Sequence, residues 1–414
     1  MKFLTIDDID LKGKTVLVRL DLNSPLGAKG ELLDIVRIEA HAETVKELSD
    51  KEAKVVIMAH QGRPGDSEFV PLSVHAKTVE YCTGKIVTYV DDISGSVARH
   101  YIKTMRPGEI ILLENVRFNS EELLKNHPDH SKTHMVRNLA PLVDYYLNDA
   151  FAVSHRNQTS LVGFPKVLPS FAGRVMQKEL EILMKAQESP ERPCILVFGG
   201  NKVDDTLKVL QKMFETGSAD KALLSGIVSI VFLKAKGIKV GEKVKELLAK
   251  KTTTNDMLKA RELLTKYSDK IILPVDVALD IGGKREDVDI SKLPTEYNIS
   301  DIGKKTIAIF EKEIAQAKTI IANGPVGLYE KKPFDEGTRK ILEAIANSGA
   351  FSVLGGGHTS MAAKEYGIAG KIDHISTGGG AFILFMTGEP LPGVVALIES
   401  AKKHKEHIKV ATQR

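Results

Sequence analysis

The chain has 414 residues, a length that predicts two domains, with three as the alternative. It is 43% hydrophobic and 27% charged, a balance that excludes wholesale disorder. A net charge of +4 and the lack of Trp argue against a nucleic-acid-binding protein, which would concentrate basic and aromatic residues on one face. The two cysteines are far apart and form no CxxC pair, so neither a disulfide framework nor a zinc site is predicted.

Membrane attachment is not expected either. No apolar stretch reaches the length of a transmembrane helix, and the first residues carry acids where a signal peptide needs an apolar core. We therefore expect a cytoplasmic protein with no membrane partner.

The first half of the chain alternates short apolar runs with helical patterns. A helix is predicted over residues 36–50. The predicted strands are 15–20, 54–59, 85–90, 109–113 and 145–148. Strands joined through helices require a parallel sheet covered on both faces.

A second series of strands follows a break near residues 163–173, which is rich in Pro, Gly and Phe. Helices are predicted over 174–187, 255–266 and 393–413, and strands over 194–198, 221–224, 270–273, 319–322, 351–354 and 373–376. We expect an α/β fold of two Rossmann-like, doubly wound domains. The expected segments are a first domain over 1–173, a linking helix over 174–188, a second domain over 189–393, and a tail over 394–414 that returns to the first domain.

Arginines follow the apolar runs of the first half. Arg37, Arg63, Arg117 and Arg156, with His60, occupy equivalent positions near the ends of these runs. Ligands of open α/β sheets bind at the carboxyl ends of the strands, and a guanidinium matches carboxylate and phosphate oxygens. This pattern predicts a site for a small phosphorylated carboxylic acid, with Asp21 and Asn23 accepting from its hydroxyl. The alternatives are surface ion pairs for single arginines and structural roles for His60 and His155.

Glycines occupy the corresponding places in the second half. Gly199–Gly200 precede Lys202, and residues 355–357 and 378–380 form similar turns. Bare amides at a helix N-terminus attract phosphate, although a turn glycine can also serve only a positive φ. The Walker A pattern is absent. The GxGxxG pattern is also absent, which argues against a nicotinamide-dependent dehydrogenase.

Taken together, these segments resemble the phosphoglycerate kinase family along nearly the whole chain. The segments are VRLDLNSP, DIVRIEA, HQGRPG, LLENVRF, NDAFAVSHR, FGGNKV, ANGPVGLYE, GGGHT and HISTGGGA. The lack of Trp and the GGGHT turn resemble archaeal members. The resemblance implies reversible phosphoryl transfer between 1,3-bisphosphoglycerate and ADP by domain closure. Because the attacking oxygen is already ionised, no general base is needed.

The resemblance also implies which residues carry the activity. Phosphoglycerate would contact Asp21, Leu22, Asn23, Arg37, His60, Gln61, Gly62, Arg63, Arg117, His155 and Arg156. The nucleotide would contact Gly199, Gly200, Lys202, Asn323, Gly324, Glu330, Gly355, Gly356, Gly357, His358 and Thr359. The catalytic set would be Arg37, Lys202, Gly356 and Gly379.

Two positions depart from the family pattern. Thr206 stands where most members carry a second lysine, and His358 stands where many carry an Asp that helps to hold the metal. Mg²⁺, expected as MgATP or MgADP, prefers oxygen ligands, so its ligand set stays open, with Asp204 and Asp205 as the nearest acidic candidates. These departures leave a catalytically impaired nucleotide-binding or scaffold homologue as the alternative function. A monomer is expected, with a homodimer as the alternative.

Overall fold

The computed structural model describes residues 2–124 and 127–404. The chain divides into two units by its contacts. The first unit comprises Met1–Glu181 and Pro390–Arg414, and the second comprises Ile182–Glu389.

The first unit contains a parallel sheet in which apolar side chains alternate between the two faces. Its strands are β1 (Thr15–Arg19), β2 (Lys54–Met58), β3 (Val87–Val90), β4 (Ile110–Leu113), β5 (Tyr145–Asn148) and β6 (Ser170–Ala172). Its helices are α1 (Val36–Asp50), α2 (Ser73–Thr83), α3 (Ser96–Thr104), α4 (His134–Leu139), α5 (Thr159–Val162) and the start of α6 (Arg174–Glu188). The strand order is β3-β4-β2-β1-β5-β6.

Alternation along β1 shows why the sheet is covered on both sides. Val16 and Val18 pack with Ile57 in one core, whereas Leu17 packs with Met58 in the other. Side chains of a strand alternate between faces, so each strand contributes to both cores. The carboxyl ends of these strands are therefore left as the place where polar side chains gather.

The second unit contains another parallel sheet and a smaller antiparallel sheet. Its strands are β7 (Cys194–Phe198), β8 (Lys221–Leu224), β9 (Ile271–Ile272), β10 (Asp276–Ile281), β11 (Lys284–Asp289), β12 (Asn298–Ile302), β13 (Thr319–Asn323), β14 (Phe351–Gly355) and β15 (His374–Ile375). Its helices are α7 (Val203–Glu215), α8 (Gly226–Ala235), α9 (Glu242–Lys251), α10 (Thr254–Tyr267), α11 (Lys304–Ile314), α12 (Glu336–Asn347), α13 (Gly357–Glu365) and α14 (Gly379–Thr387). The parallel sheet has the order β15-β14-β13-β7-β8-β9.

Two strand assignments made from the sequence were incomplete. The segment 163–173, expected to be a break, contains β6, which pairs with β5 through Leu147 and Phe171. Residues 276–302, for which no strand was expected, form an antiparallel sheet in the order β11-β10-β12. The sequence signal is weak there because the side chains of β11 are not buried and read KREDVD.

The last described helix, α15 (Pro392–Lys403), belongs to the first unit, as the expected return of the tail requires. It packs on β6 and α5, Ala401 joins the core of the first unit, and the Ser400 hydroxyl donates to the Leu168 carbonyl at 3.1 Å. The helix predicted over 393–413 ends earlier than expected, because α15 ends at Lys403. The rest of that prediction lies outside the described residues.

Among the described residues, no single helix has the length and apolar composition needed to cross a membrane. One bent pair, α14 with α15, meets both criteria when its two members are taken together.

Candidate active site

The predicted basic residues of the first unit gather at the carboxyl ends of its strands. His60 lies two residues after the buried end of β2 and is itself buried. Burial lowers the pKa of His60 well below its usual value, and nearby guanidinium groups lower it further. Those groups belong to Arg19, Arg117, Arg156 and Arg37. The side chains predicted from four separate segments therefore share one electrostatic environment.

Arg117 is the most constrained of these arginines. Its side chain is buried, and its Nη1 donates to the Gly62 carbonyl. Its Nε and Nη2 have no hydrogen-bond partner among the described residues. Burial, followed by the charges of Arg156 and Arg19, lowers the pKa of Arg117 to about 10. Two buried, unsatisfied N–H directions within a positive cluster are suited to an anion.

Asp21 and Arg37 form the polar rim of this cluster. Arg37 Nη1 donates to Asp21 Oδ2 at 2.9 Å and to the Asn23 carbonyl at 3.2 Å. Asp21 is buried, whereas the Arg37 side chain is 42% exposed and can reach a ligand. The Asn23 side chain accepts from the Gly62 N–H at 2.9 Å, which fixes the turn below Arg117.

Other predicted contact residues are placed differently. Gln61 is fully buried, and its amide pairs with the Ser24 backbone and with His75 Nε2. Leu22 is also fully buried, so its side chain belongs to the core. His155 is half-buried, and Arg63 is exposed near Arg117 and Arg156.

Three buried residues of the first-unit cluster were missed by the sequence analysis. Arg19 and Ser160 are fully buried, as is Glu122, and they are hydrogen-bonded in series. The signal for Arg19 was present, because a charged residue interrupts the apolar run of β1. Nothing in the sequence marks Ser160 or Glu122.

In the second unit, helices begin directly after the parallel strands. These helices are α7, α8, α13 and α14, which follow β7, β8, β14 and β15. None of these four N-termini is capped by a side-chain hydrogen bond. In α8 the Ile227 N–H donates to the Gly200 carbonyl at 3.0 Å. The first-turn N–H groups of α7, α13 and α14 are suited to phosphate oxygens, and the helix dipole adds to the attraction.

Close approach requires glycine at three of the predicted turn positions, Gly199, Gly355 and Gly356. A Cβ on Gly199 would lie 2.2 Å from the Pro325 carbonyl oxygen. Gly356 has φ +87°, and a Cβ there would lie 2.8 Å from Asn323 Oδ1. A Cβ on Gly379 would lie 3.5 Å from the Gly356 Cα, so the turns before α13 and α14 are neighbours. Gly357 has open space around it, whereas Gly355 is closed off by the Phe382 ring.

Asn323 and Thr359 build the turn after β13. The Thr359 hydroxyl accepts from the Gly324 N–H at 2.8 Å, and both Thr359 and Asn323 are buried. Lys202 and Glu330, which were predicted to contact the nucleotide, have exposed side chains.

A cavity of about 770 Å³ adjoins these turns within the second unit. Gly200 and His358 stand at its glycine-rich end, and Glu330 is also part of its wall. The remaining wall comes from α8, α9, the antiparallel sheet and the segment 325–331. A volume of this size accommodates a nucleoside. The sequence analysis missed the contribution of the antiparallel sheet because it assigned no strands there.

Comparison with known proteins agrees with this geometry. The phosphoglycerate kinase family model matches residues 6–389. The chain belongs to the phosphoglycerate kinase family. A phosphoglycerate kinase of Methanothermus fervidus is 48% identical and covers 98% of this chain and 100% of its own length. The crystal structure of phosphoglycerate kinase from Pyrococcus horikoshii has a TM-score of 0.87 at 41% identity, covering 97% of this chain and 100% of that one.

A more distant member of the family shows the same fold. The structure from Coxiella burnetii has a TM-score of 0.83 at 31% identity and covers 97% of this chain and all of that one. The predicted fold class, family and function are confirmed: the chain is a glycolytic phosphotransferase, and its family implies 3-phosphoglycerate and ATP or ADP as substrates. The dehydrogenase and scaffold alternatives are not favoured.

The two departures from the phosphoglycerate kinase pattern lie in well-defined surroundings. The Thr206 side chain is buried in α7. The His358 side chain is 72% exposed, and its Nδ1 lies 3.4 Å from Glu330 Oε1. Neither residue supplies the second lysine or the carboxylate that other members carry.

The residues present fit a magnesium ion held mainly by substrate. Within the described ranges, no group of three His, Cys, Asp or Glu side chains could hold a metal. Asp204 is paired with Lys259 at 2.9 Å and with Lys208 at 3.1 Å. Asp205, in the first turn of α7, is half-buried and has no such partner among the described residues. Mg²⁺ keeps several waters and needs only one or two carboxylates beside substrate phosphates.

Proposed function

We propose that the basic cluster of the first unit binds 3-phosphoglycerate or 1,3-bisphosphoglycerate, and that the second unit binds MgATP or MgADP. The observation that carries the first assignment is Arg117, a buried guanidinium with two N–H directions left without a protein partner. A buried charge in that state is costly unless an opposite charge arrives. A phosphorylated carboxylic acid supplies it.

The charge balance of the cluster supports the same ligand. Among the described residues of this cluster, five guanidinium groups and His60 are accompanied by the carboxylates of Asp21 and Glu122. The excess positive charge suits a ligand with a phosphate dianion and a carboxylate. In our proposal Arg117, Arg156 and Arg63 bind the non-transferred phosphate, and His60 and Asn23 orient the rest of the molecule.

The second unit suits a nucleotide for a different reason. The uncapped starts of α7, α13 and α14 offer backbone N–H groups to phosphates, and Lys202 adds a point charge. The adjoining cavity takes the nucleoside, with Glu330 placed to accept from the ribose hydroxyls.

The chemistry that we propose is in-line phosphoryl transfer without a general base. The carboxylate of 3-phosphoglycerate is already ionised, so catalysis rests on positioning and on stabilising the charge of the transferred group. Arg37 from the first unit and the N–H groups of Gly356 and Gly379 from the second supply that stabilisation. Closure of the two units on their substrates excludes water, which protects the acyl phosphate from hydrolysis.

Magnesium, carried on the nucleotide, would neutralise phosphate charge beside Asp205. Lys202 and the amides of the first turn of α7 then need to balance only the remaining charge. For the protein as a whole we propose a cytoplasmic monomer.

The decisive test is ADP formation from 3-phosphoglycerate and ATP in a coupled assay, with and without Mg²⁺. We expect metal-dependent turnover with the wild-type chain. Nucleotide binding without turnover would instead mean that Thr206 and His358 mark an inactive binder. A matched assay with D-glycerate in place of 3-phosphoglycerate should give no turnover, because it removes the phosphate that Arg117 is proposed to bind.

A further inference from the structure

A series of hydrogen bonds runs behind the basic cluster, entirely inside the first unit. Arg19 Nη2 lies 3.2 Å from His60 Nδ1, and Arg19 Nε donates to Ser160 Oγ at 2.8 Å. Ser160 Oγ lies 2.7 Å from Glu122 Oε1, and Glu122 Oε2 accepts from the Ser160 N–H at 2.7 Å. All four side chains are buried, and Arg19 Nη1 also donates to the Leu20 carbonyl.

The direction of each bond follows from the chemistry of the groups. A guanidinium has only N–H donors and stays protonated. Ser160 Oγ, which accepts from Arg19 Nε, must use its own proton toward Glu122. His60 Nδ1, which faces Arg19 Nη2, must be an unprotonated acceptor. Asp21 Oδ1, the carboxylate oxygen paired with that nitrogen, is 3.9 Å away, which is too far for a hydrogen bond to His60 Nδ1.

We infer that Arg19, held by Ser160 and Glu122, is a positioning residue that fixes His60 as the neutral Nε2–H tautomer, so that His60 presents a hydrogen-bond donor to the substrate. The assignment rests on the proposed function only for the identity of the acceptor. The tautomer itself is a property of the free protein.

The surroundings of His60 keep it in this neutral state. Burial, together with the charges of Arg19, Arg117, Arg156 and Arg37, lowers its pKa well below the usual value. A histidine in solution exchanges between its tautomers, so a donor at Nε2 would be present only part of the time. Fixing Nδ1 as an acceptor prepares the donor before the substrate arrives, which reduces the free-energy cost of binding.

The tautomer can be measured directly. Long-range ¹H–¹⁵N correlation spectra of the full chain, labelled at its 12 histidines, distinguish protonated from unprotonated ring nitrogens. The His60→Gln variant identifies which signals belong to His60. At pH 7 without substrate we expect an unprotonated Nδ1 and a protonated Nε2. A protonated Nδ1 would overturn the inference, whatever the kinase activity of the chain.

A variant then tests whether Arg19 is responsible. Lys at position 19 keeps the charge beside Glu122 but cannot donate to Ser160 and His60 together. For Arg19→Lys we expect a mixture of His60 tautomers and a KM for 3-phosphoglycerate raised by the inverse of the remaining Nε2–H fraction, about 10-fold if that fraction falls to about one tenth. The KM for ATP and kcat should stay within about twofold, since a contact equal in ground and transition states changes KM alone.

Ser170→Ala is the matched control. Its hydroxyl is also fully buried in the first unit, but it donates only to the Leu168 carbonyl at 2.9 Å. We expect it to change neither the tautomer nor the KM for 3-phosphoglycerate. If Arg19→Lys behaves as Ser170→Ala does in either readout, the positioning role is wrong. If the wild-type chain shows the Nε2–H tautomer but no turnover, the proposed function fails while the tautomer assignment holds.

Discussion

The two units offer phosphate different kinds of hydrogen-bond donor. The first unit offers guanidinium groups, some with N–H directions that have no partner among the described residues, as at Arg117 Nε and Nη2. The second uses backbone N–H groups at helix starts that glycines leave open, as at Gly356. Side-chain forks fix the identity and orientation of one small anion. Successive backbone N–H groups can bind the several phosphates of a nucleotide, and they carry little charge of their own.

This contrast predicts that side-chain changes in the first unit cost more than those in the second. The largest effect should come from Arg37→Ala, because Arg37 is proposed to act on the transferred group itself. We expect kcat to fall by about 10²–10³, the scale for removing one stabilising donor. The exposed Arg99→Ala variant in α3 is the control and should stay near wild-type activity. A change in kcat below about threefold would remove Arg37 from the catalytic role.

The next prediction concerns how the free energy of unfolding changes on acidification, which differs in sign between the group chosen in each unit. Burial lowers the pKa of His75 in the first unit to about 4, so between pH 6.5 and 5 the unfolded chain binds a proton that the folded chain does not. Acidification over that range should destabilise the first unit by about 2 kcal/mol through His75, at 1.36 kcal/mol per pH unit.

In the second unit, burial raises the pKa of Asp301 to about 6. There the folded chain binds the extra proton, so the same acidification should stabilise that unit. Hydrogen exchange by mass spectrometry reports each unit separately. The His75→Asn variant should lose its share of the pH dependence in the first unit only. An unchanged slope in that variant would contradict the assignment.

Replacing a guanidinium of the first unit by a lysine ammonium group should raise the KM for 3-phosphoglycerate alone. Arg117→Lys keeps the positive charge but loses the planar pair of N–H directions. We expect the KM for 3-phosphoglycerate to rise about 10- to 100-fold, corresponding to a lost charged hydrogen bond. The KM for ATP, measured in the same assay, is the internal control and should not move. Parallel rises in both constants would mean that the two sites are not separable in this way.

The smallest effect should come from the backbone cradle. Gly356→Ala places a methyl group 2.8 Å from Asn323 Oδ1 at φ +87°. We expect the KM for ATP to rise about 10-fold and kcat to fall by less than in Arg37→Ala, because this turn is proposed to donate to the nucleotide and to the transferred group. The KM for 3-phosphoglycerate should change little.

Gly349→Ala is the matched control for that variant. Gly349 has φ +69° but nothing lies within 4 Å of its added Cβ. Both variants should lose about 1–2 kcal/mol of stability from the left-handed conformation. Only Gly356→Ala should affect nucleotide binding, and equal KM values in the two variants would contradict the cradle.

The sequence predicted the strands of the parallel sheets except β6, because the others are short continuous apolar runs. It did not predict the antiparallel sheet, in which the strand Asp276–Ile281 pairs with the charged strand Lys284–Asp289. Among the predicted site residues, Arg117 lies shortly after β4, whereas Arg37 is the second residue of α1 and was singled out by the apolar run before it. Glu122 and Ser160 could not, because a buried polar group is chosen by its three-dimensional neighbours rather than by local sequence. Gln61 was predicted to contact phosphoglycerate, but its buried side chain forms hydrogen bonds to the Ser24 backbone and to His75 inside the first unit.

The packing of α15 has a consequence for synthesis on the ribosome. The second unit is one continuous stretch, Ile182–Glu389, whereas the first needs α15, which leaves the ribosome only after that whole stretch. Until then the core around Ala401 and the Leu168 carbonyl lacks its final helix. The part translated first is therefore the part completed last, and a nascent chain should complete the fold of its second unit before that of its first.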